Sequence, residues 1–325
     1  MRAAWYTKNG SAKDTLVLGD IQRPSVGAGE VLVKIKTSGV NPSDVKNRKG
    51  RPPISPQIIP HSDGAGVIEE VGAGVDPARK GERVWLWNAQ FGRAHGTACE
   101  FVSLPENQAV KMPDSLDFAS AACLGIPALT AFEAVRLCHD LKDQWVLVTG
   151  AGSSVGYYAC QLLLLQGAKV IGTVGNKARA QLAKDIGVNH LIHYKDEPVA
   201  ERIFEITQGQ GVSRVIDLDF SSTKELIATQ AVAHHAQIVC YGSNEIDFSM
   251  VFRTLLFKSI ELKFFLVYDL TPQARQFDVS GLNQLMSEGK IKHCVAKTFP
   301  LEEVVLAHEA VESGLCVGNV VIEVS

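Results

Sequence analysis

The chain has 325 residues, which at roughly 100–200 residues per domain corresponds to about two domains. Hydrophobic residues make up 46% and charged residues 21%, which excludes a chain too polar to bury a core. Lys and Arg total 32 against 35 Asp and Glu, for a formal net charge of −3; a nucleic-acid binder or a protein of anionic membrane surfaces carries a basic excess instead.

The start, MRAAWYTKNG, has too short an apolar stretch for a signal-peptide core. No run approaches the ~18 consecutive apolar residues of a membrane span, and the best, around 119–132, is broken by Ser120, Gly125 and Pro127. The seven cysteines are Cys99, Cys123, Cys138, Cys160, Cys240, Cys294 and Cys316. Their number is odd and no two are closely spaced, so neither a zinc cluster nor a disulfide framework is expected. A cytoplasmic protein with no nucleic-acid and no membrane partner is the expectation.

In chain order, the first ~120 residues read as β-rich, with short alternating runs between Gly and Pro punctuation. The runs are Val31–Ile35, Asp63–Val71, Val84–Trp87 and Glu100–Leu104. An apolar helical stretch, Phe118–Val135, then leads into the strand Trp145–Thr149. Strands follow at Lys169–Val174, His190–His193, Val215–Leu218 and Gln237–Tyr241, with helical runs near 155–166, 178–186, 198–207 and 222–234. Ser259–Tyr268 reads as the last strand of this series. A helix near Asp278–Glu288, a strand near Lys297, a helix at Leu301–Ser313 and a strand at Asn319–Val324 complete the chain. Strand–helix alternation with strands apolar on both faces is the pattern of a parallel, doubly wound sheet. The fold class is therefore α/β, in two domains. A β-rich domain spans 1–122 and is completed by 268–325, and a nucleotide-binding domain spans 123–267.

The most informative stretch is VLVTGAGSSVGYYACQLLLLQG at 146–167, a buried strand, a Gly/Ser turn and a helix. Small residues let the backbone approach a pyrophosphate, while free amides and the helix dipole favour the anion. Gly150, Gly152 and Gly156 miss the strict G-x-G-x-x-G spacing by one residue, yet the strand, the helix and the following β/α units supply the context of a dinucleotide site. An NAD site places an acid ~20 residues beyond the glycines, on the ribose 2′-hydroxyl. Here the corresponding strand, KVIGTVGNKARAQ, has no acid, and Lys177 and Arg179 follow it. Room at Gly172 and positive charge from Lys177 or Arg179 suit a 2′-phosphate, so NADPH is expected over NADH.

Ser62 and Asp63 lie in IPHSDGAGVIEEVG, which resembles the G-H-E-x-x-G element of the medium-chain alcohol dehydrogenases. In register, Ser62 stands where that element has a zinc-ligating His, and His61 falls one residue early. The stretch after Gly39 carries no Cys to serve as a second ligand. No metal is expected.

SGVNPSD at 38–44, HSDGAGVIEEVGAGV at 61–75, LGIPALTAF at 124–132, VLVTGAGSSVG and KVIGTVG together resemble the zinc-independent quinone oxidoreductases. That group includes zeta-crystallin and belongs to the medium-chain dehydrogenase/reductase superfamily. The resemblance implies a GroES-like β-barrel-type domain, a Rossmann domain, NADPH and a homodimer formed through the Ser259–Tyr268 strand. It places Asn41 and Thr130 on the nicotinamide side and Gly152, Ser153, Ser154 and Val155 on the pyrophosphate. Gly172, Lys177 and Tyr194 fall on the adenosine phosphate, while Ser221, Tyr241, Gly242, Ser243, Phe264, Phe265 and Asn319 line the remainder. Three positions depart from the family pattern. Ser153-Ser154 replaces a Gly-Gly pair, Lys46 replaces a phenolic side chain, and Asn319 replaces a lysine.

Without a metal to polarise a carbonyl, the expected reaction is hydride transfer to a small molecule that is already electrophilic. A quinone needs little beyond docking. An α,β-unsaturated carbonyl needs a donor for its enolate and then a proton, for which Asn41 and Lys46 are the candidates. A non-catalytic NADPH-binding protein is the alternative from another class.

Overall fold

The structure, a computed structural model, describes residues 1–324. The strands are β1 (Arg2–Trp5), β2 (Val17–Asp20), β3 (Glu30–Val40), β4 (Asp63–Val71), β5 (Arg83–Leu86), β6 (Phe101–Pro105), β7 (Ala109–Lys111) and β8 (Trp145–Val148). They continue with β9 (Lys169–Val174), β10 (His190–His193), β11 (Val212–Asp217), β12 (Val232–Cys240), β13 (Glu261–Phe264), β14 (Val295–Pro300) and β15 (Asn319–Glu323). The helices are α1 (Ala12–Thr15), α2 (Pro42–Gly50), α3 (Phe118–Ala121), α4 (Leu129–Leu137), α5 (Ser154–Leu165) and α6 (Lys177–Asp185). They continue with α7 (Val199–Ile206), α8 (Phe220–Thr223), α9 (Phe252–Lys258), α10 (Pro272–Ser287) and α11 (Val304–Glu312). Among the described residues no helix is long and apolar enough to cross a membrane.

Two compact units divide the chain. The first joins Met1–Pro127 to the segment from Val279 onward, and the second is Ala128–Asp278. In the first, a sheet ordered β14-β15-β3-β4-β5-β7 has β6 added onto β3, and β1 pairs with β2 apart from it. The long strand β3 makes this possible. Its first half pairs with β6 and its last residues with β15, while β4 runs antiparallel along most of it. Two register shifts, at Leu32/Val33 and Ile35/Thr37, bend it enough to serve all three partners. Val31, Val33 and Ile35 enter a core shared with Ile68, Val84, Val102, Val320 and Ile322.

The second unit is an all-parallel sheet in the order β10-β9-β8-β11-β12-β13. Helices follow the strands, and the order reverses between β8 and β11. In such sheets ligands bind outside the carboxyl ends of the strands at that reversal. Leu147, Ile171, Ile192, Val215 and Ile238, one from each of five strands, build its core.

Three elements differ from the sequence pattern. The helical stretch expected over 118–135 is α3, a π-helical turn at Leu124–Ala128 and α4. Pro127 interrupts the ladder there, and a Cβ at Gly125 would lie 2.4 Å from Asp63 Oδ1. The helix expected over 222–234 ends by Ala228, and β12 already begins at Val232. The strand expected over 259–268 is confined to β13, because Ser259 adopts a left-handed conformation as the cap of α9 and a 3₁₀ turn begins at Val267.

Candidate active site

The carboxyl end of β8 turns sharply through Gly150, whose φ of +70° favours glycine. Ser153 N–H closes the turn on the Gly150 carbonyl at 2.8 Å. Ser153 then caps α5, its Oγ accepting from Gly156 N–H at 3.0 Å. Its φ of −84° and ψ of 167° are ordinary extended values, so serine stands here without strain in place of glycine. The helix leaves the Ser154 and Val155 amides of its first turn unused, and these point the positive end of the dipole outward. Gly156 has to lack a side chain, since a Cβ would meet the Gly150 carbonyl at 2.2 Å.

Gly152 is equally constrained. A Cβ there would lie 2.5 Å from Arg179 Cβ and 2.7 Å from its carbonyl oxygen, and Arg179 Nη1 donates to the Gly152 carbonyl at 2.7 Å. Arg179 therefore stands directly against the loop. Asn176 caps α6 by accepting from Arg179 N–H, and Lys177 opens that helix with its side chain exposed. The Tyr194 ring lies over Gly175, where a Cβ would meet its hydroxyl at 2.9 Å. Arg179 and Tyr194 thus stand against the Gly152 and Gly175 backbone beyond β8 and β9, and Lys177 lies between Gly175 and Arg179 in the chain, at the start of α6. Gly172 does not belong with them, contrary to the sequence expectation. It is buried inside β9, and its missing side chain makes way for Ala151 Cβ, 2.5 Å from where its own Cβ would sit.

The loops after β11 and β12 are tied to each other. Asp219 accepts from Ser221 Oγ at 2.6 Å, from Asn244 N–H at 2.8 Å and from Asn244 Nδ2 at 2.6 Å. Phe220 N–H donates to the Gly242 carbonyl at 3.1 Å, and Gly242 leaves room for the Leu218 carbonyl. Ser243 Oγ donates to the Glu245 carbonyl. Tyr241 is tilted against Phe265, and Phe264 meets the Phe220 ring edge-on. Burial pushes the Tyr241 hydroxyl well up from its ordinary value, so it stays protonated. Below this end of the sheet Thr149 Oγ1 donates to the buried Asp217 at 2.8 Å, and Leu218 N–H donates to Thr149. Thr130 is buried in the first turn of α4.

In the first unit Asn41 caps α2, with Pro42 at the first helical position. Its backbone N–H donates to Asp44 Oδ2 at 2.8 Å, a capping box. The Asn41 side chain is directed elsewhere: Nδ2 donates to Asp63 Oδ2 at 2.9 Å, and the same oxygen accepts from Ile126 N–H at 3.0 Å. Gly39 stands opposite Asp63 in the register, and its missing side chain lets the Ala122 carbonyl approach. Lys46 is exposed on α2. Asn319 is buried, with its Nδ2 donating to the Cys294 carbonyl at 3.2 Å; the register of β15 sets it beside the end of β3.

Two family models match. One for the alcohol dehydrogenase GroES-like domain covers residues 27–114, and one described as zinc-binding dehydrogenase covers 154–286. Quinone oxidoreductase from Rattus norvegicus is 29% identical over 317 residues, which span 95% of this chain and 93% of that protein. The structure of Escherichia coli quinone oxidoreductase complexed with NADPH superposes with a TM-score of 0.89 over 100% of both chains, at 26% identity. An NAD-dependent alcohol dehydrogenase superposes equally well, at a TM-score of 0.89 and 27% identity over 100% of both chains. The chain belongs to the medium-chain dehydrogenase/reductase superfamily, on its quinone oxidoreductase branch.

For this quinone oxidoreductase-branch chain the description of one matched family implies a zinc ion, and the residues do not fit one. Ser62 stands at the ligand position, and both ring nitrogens of His61 are engaged, Nδ1 with Ser38 Oγ at 2.8 Å and Nε2 with His308 Nε2 at 2.9 Å. Among the described residues no three His, Cys, Asp or Glu side chains come together as a ligand set.

The sequence reading of this branch member passed over Asp63 as a functional residue. A carboxylate inside the otherwise apolar, Gly-rich DGAGV strand was the available signal, because a buried charge requires partners.

Proposed function

We propose that this chain is an NADPH-dependent oxidoreductase that reduces a quinone without a metal. When bound, NADPH supplies the hydride. The reading places its pyrophosphate on the Gly152–Val155 amides and its 2′-phosphate against Arg179, Lys177 and Tyr194. The Asn41 amide, oriented by Asp63, is the hydrogen-bond donor proposed to meet an acceptor oxygen, and the single proton that completes the hydroquinone after hydride transfer comes from solvent. The observation that carries the reading is the donor set. With both His61 ring nitrogens engaged and Ser62 at the ligand position, the proposed donor is an amide N–H rather than a Lewis acid, and such a site would suit a substrate that is already electrophilic.

Enone reduction is the second reading, favoured by the exposed ammonium of Lys46 on the helix that Asn41 caps. A homodimer through β13 belongs to the same proposal; it is an edge strand, and Phe264 at its end is 62% exposed. Initial rates of NADPH oxidation against 1,4-benzoquinone, 9,10-phenanthrenequinone and an enone panel, before and after chelator treatment, test the proposal. Quinone turnover that survives chelation is expected. Binding of NADPH with no turnover of any acceptor would remove it, and light scattering reads the dimer.

A further inference from the structure

A chain of buried side chains runs through the first unit, with no role in the chemistry so far. Arg48 Nε donates to His308 Nδ1 at 3.4 Å, and His308 Nε2 faces His61 Nε2 at 2.9 Å. His61 Nδ1 faces Ser38 Oγ at 2.8 Å, Ser38 Oγ faces Thr97 Oγ1 at 2.7 Å, and Thr97 donates to the Asp63 carbonyl. Arg48, His61, His308, Ser38 and Thr97 are all completely buried.

The protons in this chain can be placed from either end. A carbonyl only accepts, so the Thr97 hydrogen goes to Asp63 and Thr97 Oγ1 accepts from Ser38. The Ser38 hydrogen is then spent, so His61 donates through Nδ1–H and its Nε2 is bare. From the other end a guanidinium only donates, so His308 Nδ1 is bare and its Nε2 carries the hydrogen, which meets the bare His61 Nε2. The two derivations agree in the middle. Extra protonation of either ring would set two N–H groups against each other beside the Arg48 cation. Burial also holds His61 down to about 3, and burial, His61 and Arg48 together hold His308 well below its ordinary value.

We infer that His61 and His308 are a neutral pair of opposite tautomers that clamps the Asp63 peptide and thereby positions the Asn41 amide. The functional half of this inference rests on the proposed role of Asn41 at the acceptor. The chain is a clamp and not a proton relay, since it begins at a group that keeps its proton and ends on a carbonyl. Asp63 is pinned at its carbonyl by Thr97, while its carboxylate holds Asn41 Nδ2 and Ile126 N–H. His61 reaches the chain from a φ of +80°, a conformation costly for a non-glycine residue, held by Thr97 N–H on the His61 carbonyl at 3.0 Å. His61 and His308 are therefore positioning residues.

The test uses the full chain labelled with ¹⁵N-histidine and ¹⁵N-asparagine. Two-bond correlation spectra are expected to show His61 as Nδ1–H and His308 as Nε2–H, with neither ring titrating above pH 5. His308→Leu removes both links. His308→Gln keeps them, because its amide donates to His61 and its oxygen accepts from Arg48. Thr97→Val cuts the last link and leaves Arg48 untouched, should His308→Leu fail to fold. In His308→Leu and Thr97→Val the Asn41 Nδ2 resonance should shift and quinone kcat should fall about tenfold with NADPH Kd unchanged, since small displacements at a reacting centre cost rate. His308→Gln should restore both. Identical tautomers, a titrating ring, or cut variants that keep the Asn41 resonance would overturn the inference. If the unaltered chain reduces no acceptor, the proposed function fails alone, and the tautomers and the Asn41 resonance still decide the clamp.

Discussion

Asn41 Nδ2 and Asp63 Oδ2 meet at 2.9 Å with both side chains buried, which fixes the direction of an amide that would otherwise rotate freely. Asp63 Oδ2 also accepts from Ile126 N–H in the π-helical turn. Asp63→Leu removes this shared acceptor and leaves both N–H groups buried without one. The variant is expected to lose about 1–3 kcal/mol of stability, read as a lower melting temperature. Asn41→Ala should keep the fold and lower kcat/KM for a quinone at least about tenfold, as removal of a positioned donor does. Wild-type turnover in Asn41→Ala would sink the role given to this amide.

The phosphate loop separates stability from cofactor affinity. Ser153→Ala deletes the cap on Gly156 N–H and should cost about 1 kcal/mol, while Ser153→Gly should cost only a few tenths. Gly152→Ala places a methyl against the Arg179 backbone, so the first turn of α6 must move. Fluorescence titration is expected to show NADPH Kd weakened about tenfold or more in Gly152→Ala. Unchanged affinity would mean that the pyrophosphate lies elsewhere.

If the 2′-phosphate lies where it is proposed to, cofactor choice should rest on Arg179 more than on Lys177. Arg179 is half-buried and braced on the Gly152 carbonyl, whereas Lys177 is exposed. A braced guanidinium loses less conformational freedom on meeting a phosphate, and it binds in a forked geometry. Arg179→Ala should weaken NADPH binding by about 1.5–3 kcal/mol and NADH binding much less. Lys177→Ala should have a smaller effect that fades with added salt. Parallel titrations with both nucleotides measure the difference, and equal losses for the two would contradict a 2′-phosphate contact.

The parallel sheet was legible because its inner strands, such as β8 and β9, are apolar and largely buried. Lys169–Val174 and His190–His193 end where the apolar run meets Gly175 and Tyr194, and β9 and β10 share those limits. The extent of helix α2 is not readable from PSDVKNRKG, which has Val45 as its one large apolar residue and no stripe, although Asp44 marks an N-terminal acid of a helix. Its start was nonetheless written in Asn41, Pro42 and Asp44. The Gly/Ser turn between β8 and α5 is local in sequence and could be read as a turn; the buried chain from Arg48 to Asp63 could not. Positions 38, 48, 61, 97 and 308 have no shared period, and only tertiary packing brings them together. Gly172 shows the converse error. A small residue in the expected region suggested space for a ligand, and the space is filled by Ala151.

Asp44 ties helix α2 to solution pH. It is 2% exposed, and burial pushes its carboxyl up to about 7, against the lowering effect of the Asn41 and Ser62 amides. Its value in the unfolded chain is near ~3.9, so the folded protein holds the proton more tightly. The stability linked to Asp44 is therefore fully present below pH ~4, is lost as pH rises toward about 7 at up to ~1.4 kcal/mol per pH unit, and changes no further above that. Asp44→Asn is neutral at every pH and keeps an oxygen for the Asn41 amide. Its melting temperature should match or fall slightly below that of the unaltered chain at pH 4–5 and exceed it at pH 8. Parallel melting curves across this range would refute the assignment, because a carboxylate ionised throughout the window would leave the difference between the two proteins constant.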